Sequence, residues 1–243
     1  QKLERTIGVK LFVRQKTGMT LTTSGRQIYA KAAELLATWS ELEGQALSSE
    51  NEIQGLFRIG CHPSVAQYTL GLFLPQILAE QPKLQFHLVH DLSRKVVDQV
   101  IAHDIDFGIA VNPVRHPDLV LLPLCADSFS VWHSPRRRKS DTLICDPELL
   151  QVQWLLARLP KNGFKFSKIM SSSNLDVIAK LAAEGAGFAL LPDRVAAERT
   201  TQGLKKLDSS LPEFKDRIFM VYRTERMRTR AGKFLIEQIK KSF

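Results

Sequence analysis

Residues 23–46 constrain this chain most. They contain no proline, and Ile28, Ala32, Leu35, Trp39, Leu42 and Ala46 follow one another at spacings of four and three. That spacing predicts a long helix with a heptad seam for a second helix; a helix lying on its own domain would show the same pattern. The residues before it set the context. Val9–Arg14 alternates and ends basic, Gln15–Gly18 is polar and closes on glycine, and Met19–Leu21 resumes, which reads as a hairpin. Thr22 or Thr23 supplies the hydroxyl that caps the long helix. Lys2–Ile7 reads as the last turns of an earlier helix, stopped at Gly8.

Charge is distributed unevenly over this frame. The chain carries a formal net charge of +9, and residues 1–33 hold seven Lys and Arg against the single acid Glu4. A basic hairpin tip beside helix ends suits a phosphate backbone, because ammonium and guanidinium groups displace condensed counterions. Lys2, Arg5, Arg14, Lys16 and Thr17 are the candidate DNA contacts. For an isolated basic turn a solvated surface hairpin is the better explanation, but here the turn abuts a helix with a dimer seam. A helix end, a wing and a dimer helix, in that order, form the end of a winged helix-turn-helix. The other basic clusters, Arg136–Lys139 and Arg223–Arg230, adjoin no such element and read as solvated surface.

The rest of the chain alternates strands with helices. Leu56–Cys61, Leu84–His90 and Ile105–Val111 read as buried strands, with helices over 64–80 and 93–103 between them. Leu119–Pro123 continues toward a fourth strand, Cys125–Ser128 reads as a crossover, and Phe129–His133 begins a second unit. In that unit strands near 143–145, 166–171 and 188–191 alternate with helices near 147–159, 175–184 and 194–200. Ile218–Arg223 is a last strand, expected beside Phe129–His133, and residues 228–241 form a closing helix. Such alternation specifies a parallel α/β sheet with right-handed crossovers. Leu47–Gln54 is polar and reads as a hinge.

The run from Gln1 to Leu36 closely resembles the end of the DNA-binding domain of LysR-type transcriptional regulators. Leu3-Glu4, Ile7-Gly8, Leu11-Phe12, Arg14, Leu21-Thr22 and Gly25 match that family's pattern of recognition-helix end, wing and linker helix. Further on, AAEGAGFALLPDRVA and IDFGIAV resemble the family's effector-domain segments, whereas residues 134–170 fit it least well. The resemblance implies an α/β, two-lobed, periplasmic-binding-protein-like effector domain preceded by the end of a winged helix-turn-helix and a linker helix. It implies domains at 1–22, 23–52 and 53–243, with lobe one at about 53–125 and 225–243 and lobe two at about 126–224. The resemblance also places two helices and most of the recognition helix upstream, so the base-reading residues are expected before residue 1. The expected partners are double-stranded DNA, a small effector and further copies of the chain as a homodimer or homotetramer. A cytoplasmic location is expected.

Ligands of open parallel sheets bind beyond the carboxyl ends of strands, where helix N-termini point. That rule selects Pro63, Ser64, Val65 and Gln67 after the first strand, Leu92 and Ser93 after the second, and Asn112 after the third. From the second lobe, Ser173 and Asn174 open a helix toward the same cleft. Hydroxyls and backbone N–H groups at helix starts suit a carboxylate or similar anion; serine at these positions also serves as a plain helix cap. The dimer seam is assigned to Ile28, Ala32, Leu35, Trp39 and Leu42.

Other chemistries find little support. No GxSxG, HExxH, phosphate-loop or dinucleotide-binding glycine pattern occurs, so no enzymatic activity, cofactor or metal is expected. Cys61, Cys125 and Cys145 are an odd number without CxxC spacing, which points to free thiols rather than a disulfide framework. No apolar run approaches the length of a membrane span. A solute-binding protein or an enzyme on the same two-lobed fold is the alternative; it leaves residues 1–50 without a use.

Overall fold

The computed structural model describes residues 2–15, 18–47, 53–136, 141–198, 200–207 and 210–243. Helix α1 (Lys2–Ile7) ends at Gly8, whose φ of 76° is the left-handed turn that lets the chain leave the helix. Strands β1 (Phe12–Gln15) and β2 (Gly18–Leu21) form the expected antiparallel hairpin. Helix α2 (Thr23–Leu47) follows. Thr22 caps it, its hydroxyl accepting the Gly25 N–H at 2.8 Å. A Cβ on Gly25 would land on the Leu11 carbonyl oxygen, so only glycine lets the helix start this close to the wing.

Lobe one is built on strands β3 (Gly55–Cys61), β4 (Leu84–His90) and β5 (Phe107–Val111), all parallel. Helices α3 (Pro63–Glu80) and α4 (Ser93–Ile101) are the crossovers. A buried cluster including Phe57, Ile59, Phe73, Ile77, Phe107 and Ile109 fills one side of the sheet, and Val97, Val100 and Ile105 pack the other.

Strand β6 (Leu119–His133) is continuous over 15 residues. The expected break at Cys125–Ser128 does not occur. Antiparallel pairing with strand β11 (Phe214–Arg223) carries the chain straight through the polar segment, and Asp127 lies directly opposite Asp216. The expected partner of Ile218–Arg223 is corrected too. It pairs with Leu119–Cys125 of β6 and with β5, because the strand returning to lobe one must run beside the lobe-one half of β6. Trp132 and His133 pair instead with strand β10 (Lys205–Lys206).

Lobe two contains strands β7 (Thr142–Cys145), β8 (Lys168–Ser171) and β9 (Phe188–Pro192). Helices α5 (Leu150–Leu156), α6 (Leu175–Ala183) and α7 (Asp193–Ala197) accompany them. The helix expected over 147–159 is shorter, and its end is a separate 3-10 turn at Leu159–Asn162. Another 3-10 turn, Thr224–Arg228, precedes helix α8 (Arg230–Lys241). Leu235 and Ile239 of α8 return to the core of lobe one. The strand order is β4-β3-β5-β11-β6-β9-β7-β8, so the two crossover strands join the lobes edge to edge in one sheet. Among the described residues no helix is long and apolar enough to cross a membrane.

Candidate functional site

Among the described residues, two places where the lobes meet bring polar groups together, and both involve residues that open helices. At the first, α3 of lobe one begins beside α6 of lobe two. His62 caps α3 through its ring nitrogen Nδ1, which accepts the Ser64 N–H at 3.3 Å, and Pro63 sits at the start, where no N–H is required. Asn174 caps α6, its Oδ1 accepting the N–H groups of Asp176 and Val177 at 2.9 and 3.1 Å. Across the gap the Ser64 hydroxyl donates to Asp176 Oδ2 at 3.1 Å. Ser64 is only 2% exposed and Asp176 is half-buried, so the bond is partly shielded from water.

The electrostatics at this junction are acidic. Burial pushes the His62 imidazole down, against the opposing pull of Asp176, Asp146 and Asp91. Burial thus disfavours the charged form of the ring. Lys95 offsets Asp91 at 3.3 Å. The neighbouring Cys61 thiol is pushed up to about 12 by burial, and Cys145 to about 11, which keeps both as thiols rather than nucleophilic thiolates.

The second meeting place is an open cavity of about 780 Å³ across the crossover strands. Asn112, at the end of β5, and Asp127, Asp193, Arg194, Asp216 and Arg217 are among its lining residues. Asp216, 4% exposed, accepts from Asn112 Nδ2 at 2.6 Å and from Gln151 Nε2 at 3.2 Å. A residue of each lobe thus holds one carboxylate of a crossover strand. Burial raises the Asp216 carboxyl to about 6; the two amide donors oppose the rise and Asp127 adds to it. Asp127 is also raised by burial, although the backbone N–H groups of Ser128 and Arg194 hold it. Arg194 lies over the Tyr68 ring of α3 at 5.9 Å and donates to the Ala126 carbonyl.

The nine residues selected by the strand-end rule separate into different environments. Ser64 lies at the first junction, where Asn174 caps the helix that carries its partner Asp176, and Asn112 reaches the hinge cavity. Val65 is buried in the core of lobe one. Ser93 accepts the Val111 N–H at 3.0 Å, tying α4 to β5 inside lobe one. Leu92 precedes α4 without a side-chain cap, while Pro63, Gln67 and Ser173 are exposed. Sequence reasoning missed Asp176, Asp216, Asp127, Gln151 and Arg194. Two of these carried a signal: Asp176 stands two residues beyond an asparagine cap, and Asp216 stands in the polar run Lys215–Arg217 just ahead of the apolar Ile218–Tyr222.

At the other end of the chain, Lys2, Arg5 and Arg14 are exposed on α1 and the wing, while Lys16 and Thr17 lie outside the described residues. On α2, Leu35 is 71% exposed, Trp39 60% and Leu42 53%. Ile28 is half-buried and Ala32 exposed. Tyr29, off the seam, donates its hydroxyl to Asp104 of lobe one at 2.8 Å. The helix therefore touches its own lobe through Tyr29 while most of the seam faces away.

Comparison with known proteins agrees with this architecture. The family described as LysR substrate binding domain matches residues 50–243. The HTH-type transcriptional regulator BbuR of Bordetella bronchiseptica is 25% identical over 228 residues, covering 87% of this chain and 69% of that protein. YofA of Bacillus velezensis, also an HTH-type transcriptional regulator, is 26% identical over 249 residues, covering 99% and 85%. A full-length OxyR variant from Pseudomonas aeruginosa has the same fold, with a TM-score of 0.72 at 19% identity over 99% of this chain and 82% of that one. CrgA, a LysR-type regulator from Neisseria meningitidis, gives 0.66 at 19% identity over 99% and 86%. A wing and linker helix ahead of two lobes joined by paired crossover strands, together with a family match over most of its length, make this chain a member of the LysR family of transcriptional regulators.

Proposed function

We propose that this chain is a ligand-responsive regulator in which a small effector with an anionic group binds between the lobes and changes the geometry of an oligomer on DNA. The observation that carries the reading is the cavity across the crossover strands, where Asn112 and Gln151, one from each lobe, hold Asp216. A ligand seated there has contacts that depend on the angle between lobes, and a ligand shifts an equilibrium only through such differential contacts. Arg194 and Arg217 on the cavity wall and, at the separate α3/α6 junction, Ser64 and Asn174 at the helix starts are the groups offered to an anion. Of the other strand-end residues, Asn112 alone is among those lining that cavity; Pro63, Val65, Gln67, Leu92, Ser93 and Ser173 are not.

Lys2, Arg5 and Arg14, together with Lys16 and Thr17, serve as positioning contacts to double-stranded DNA. The exposed face of α2 at Leu35, Trp39 and Leu42 pairs with a second copy, in a dimer or tetramer. Residues 1–22, 23–52 and 53–243 act as the DNA-binding end, the linker and the effector domain. A thermal-melting screen of the full chain against small carboxylates, aromatic acids, amino acids and inorganic anions tests the reading. A ligand at 100 times its dissociation constant adds about 2.7 kcal/mol. A hit that also alters DNA affinity supports the function, whereas hits that leave DNA binding unchanged oppose it.

A further inference from the structure

The Ser64–Asp176 hydrogen bond joins two lobes through a group that an anionic effector would need. A serine hydroxyl has one proton to donate, and Ser64 gives it to Asp176 Oδ2 at 3.1 Å. Asp176 is itself held by its backbone N–H to the Asn174 cap, so the carboxylate is presented at a fixed place on lobe two. The carboxylate therefore holds a nearly buried hydroxyl of the opposite lobe.

We infer that Asp176 is an internal competitor that holds Ser64, and with it the two lobes, until an anionic effector takes the same hydroxyl. The inference rests on the interlobe reading above and adds the residue that sets effector affinity and charge preference. Apparent affinity for an anion falls by the fraction of molecules in which Ser64 is free, so weakening the latch strengthens binding without adding a contact. Asp176 is thus a specificity-determining residue.

The test uses the full chain with sulfate and benzoate as probes, measured by isothermal titration. Asp176→Ala is expected to bind at least one probe about tenfold more tightly than the parent, and Asp176→Asn, whose Oδ1 still accepts from Ser64, less than that. Adding Ser64→Ala to Asp176→Ala should remove the gain. Equal affinities in parent and Asp176→Ala, a gain that survives Ser64→Ala, or no binding of either probe to either form would each overturn the proposal. A ligand-free arm compares melting of the two single variants with the double variant. Non-additive losses are expected, and strict additivity rejects the latch. DNA binding that ignores every compound in the wider screen defeats the ligand-responsive reading while leaving this ligand-free coupling intact, so the two failures are distinguishable.

Discussion

Asp216 shows how one residue can set a property of the whole chain. Its carboxyl is raised from 3.8 to about 6, chiefly by burial. Between those values the folded protein binds a proton that the unfolded chain has released, so stability falls as pH rises through this window and levels off above pH 6. The loss amounts to about 3 kcal/mol as an order of magnitude. Asp216→Asn keeps the oxygen on which Asn112 and Gln151 both converge and removes the charge. The variant is expected to melt higher than the parent at pH 7.5 and to match it near pH 4; chemical denaturation across that range checks both. A variant less stable at pH 7.5 would mean that the ionised carboxylate is favoured by its surroundings. Gly25 acts at the same scale through sterics. Gly25→Ala places a methyl on the Leu11 carbonyl and should loosen the wing from α2, seen as faster amide exchange at the Thr22 and Gly25 positions.

Among the elements, the wing and the linker helix have separable duties. Arg14 is exposed on β1, and its replacement by alanine should weaken binding to all duplex sequences alike and flatten the log–log salt dependence by about one unit. An unchanged slope would remove Arg14 from the phosphate contacts. The apolar face of α2 is exposed at Leu35, Trp39 and Leu42 among the described residues. Leu35→Asp together with Trp39→Asp should convert the oligomer to smaller species in sedimentation while the effector domain keeps its melting temperature, because neither residue belongs to its cores. These elements were legible in the sequence because their signals are local: a heptad spacing, a glycine stop, a threonine cap. The strands of the two lobes were legible for the same reason, with Leu84–His90 found as expected. The continuous β6 was not, since Ala126, Asp127 and Ser128 look like a loop until a second polar strand, carrying Asp216, is laid beside them.

For the molecule as a whole, the chain passes between lobes on β6, returns on β11, and closes lobe one with α8. Leu235 is fully buried there against residues far away in sequence. Leu235→Ala is expected to cost about 3 kcal/mol, as a large-to-small change in a packed core, and to lower the melting temperature. A loss of only a few tenths would mean that α8 is not integral to that core. Arg226, in the turn before α8, meets the nearly buried Asp106 at 2.7 Å, and Asp106 also accepts the Arg58 N–H, so the returning segment is anchored by charge as well as by packing.

The sequence by itself determined the family, the wing, the linker helix and the alternation of strands and helices, because propensity, periodicity and capping act over a few residues. Only the tertiary structure decided which carboxylates face the space between the lobes. Asp176 reaches Ser64 across 112 positions of chain, and Asp216 meets Asn112 across 104. Such pairs leave no periodic trace. They arise when two separately packed lobes close on one another, and burial then changes what each acid can do.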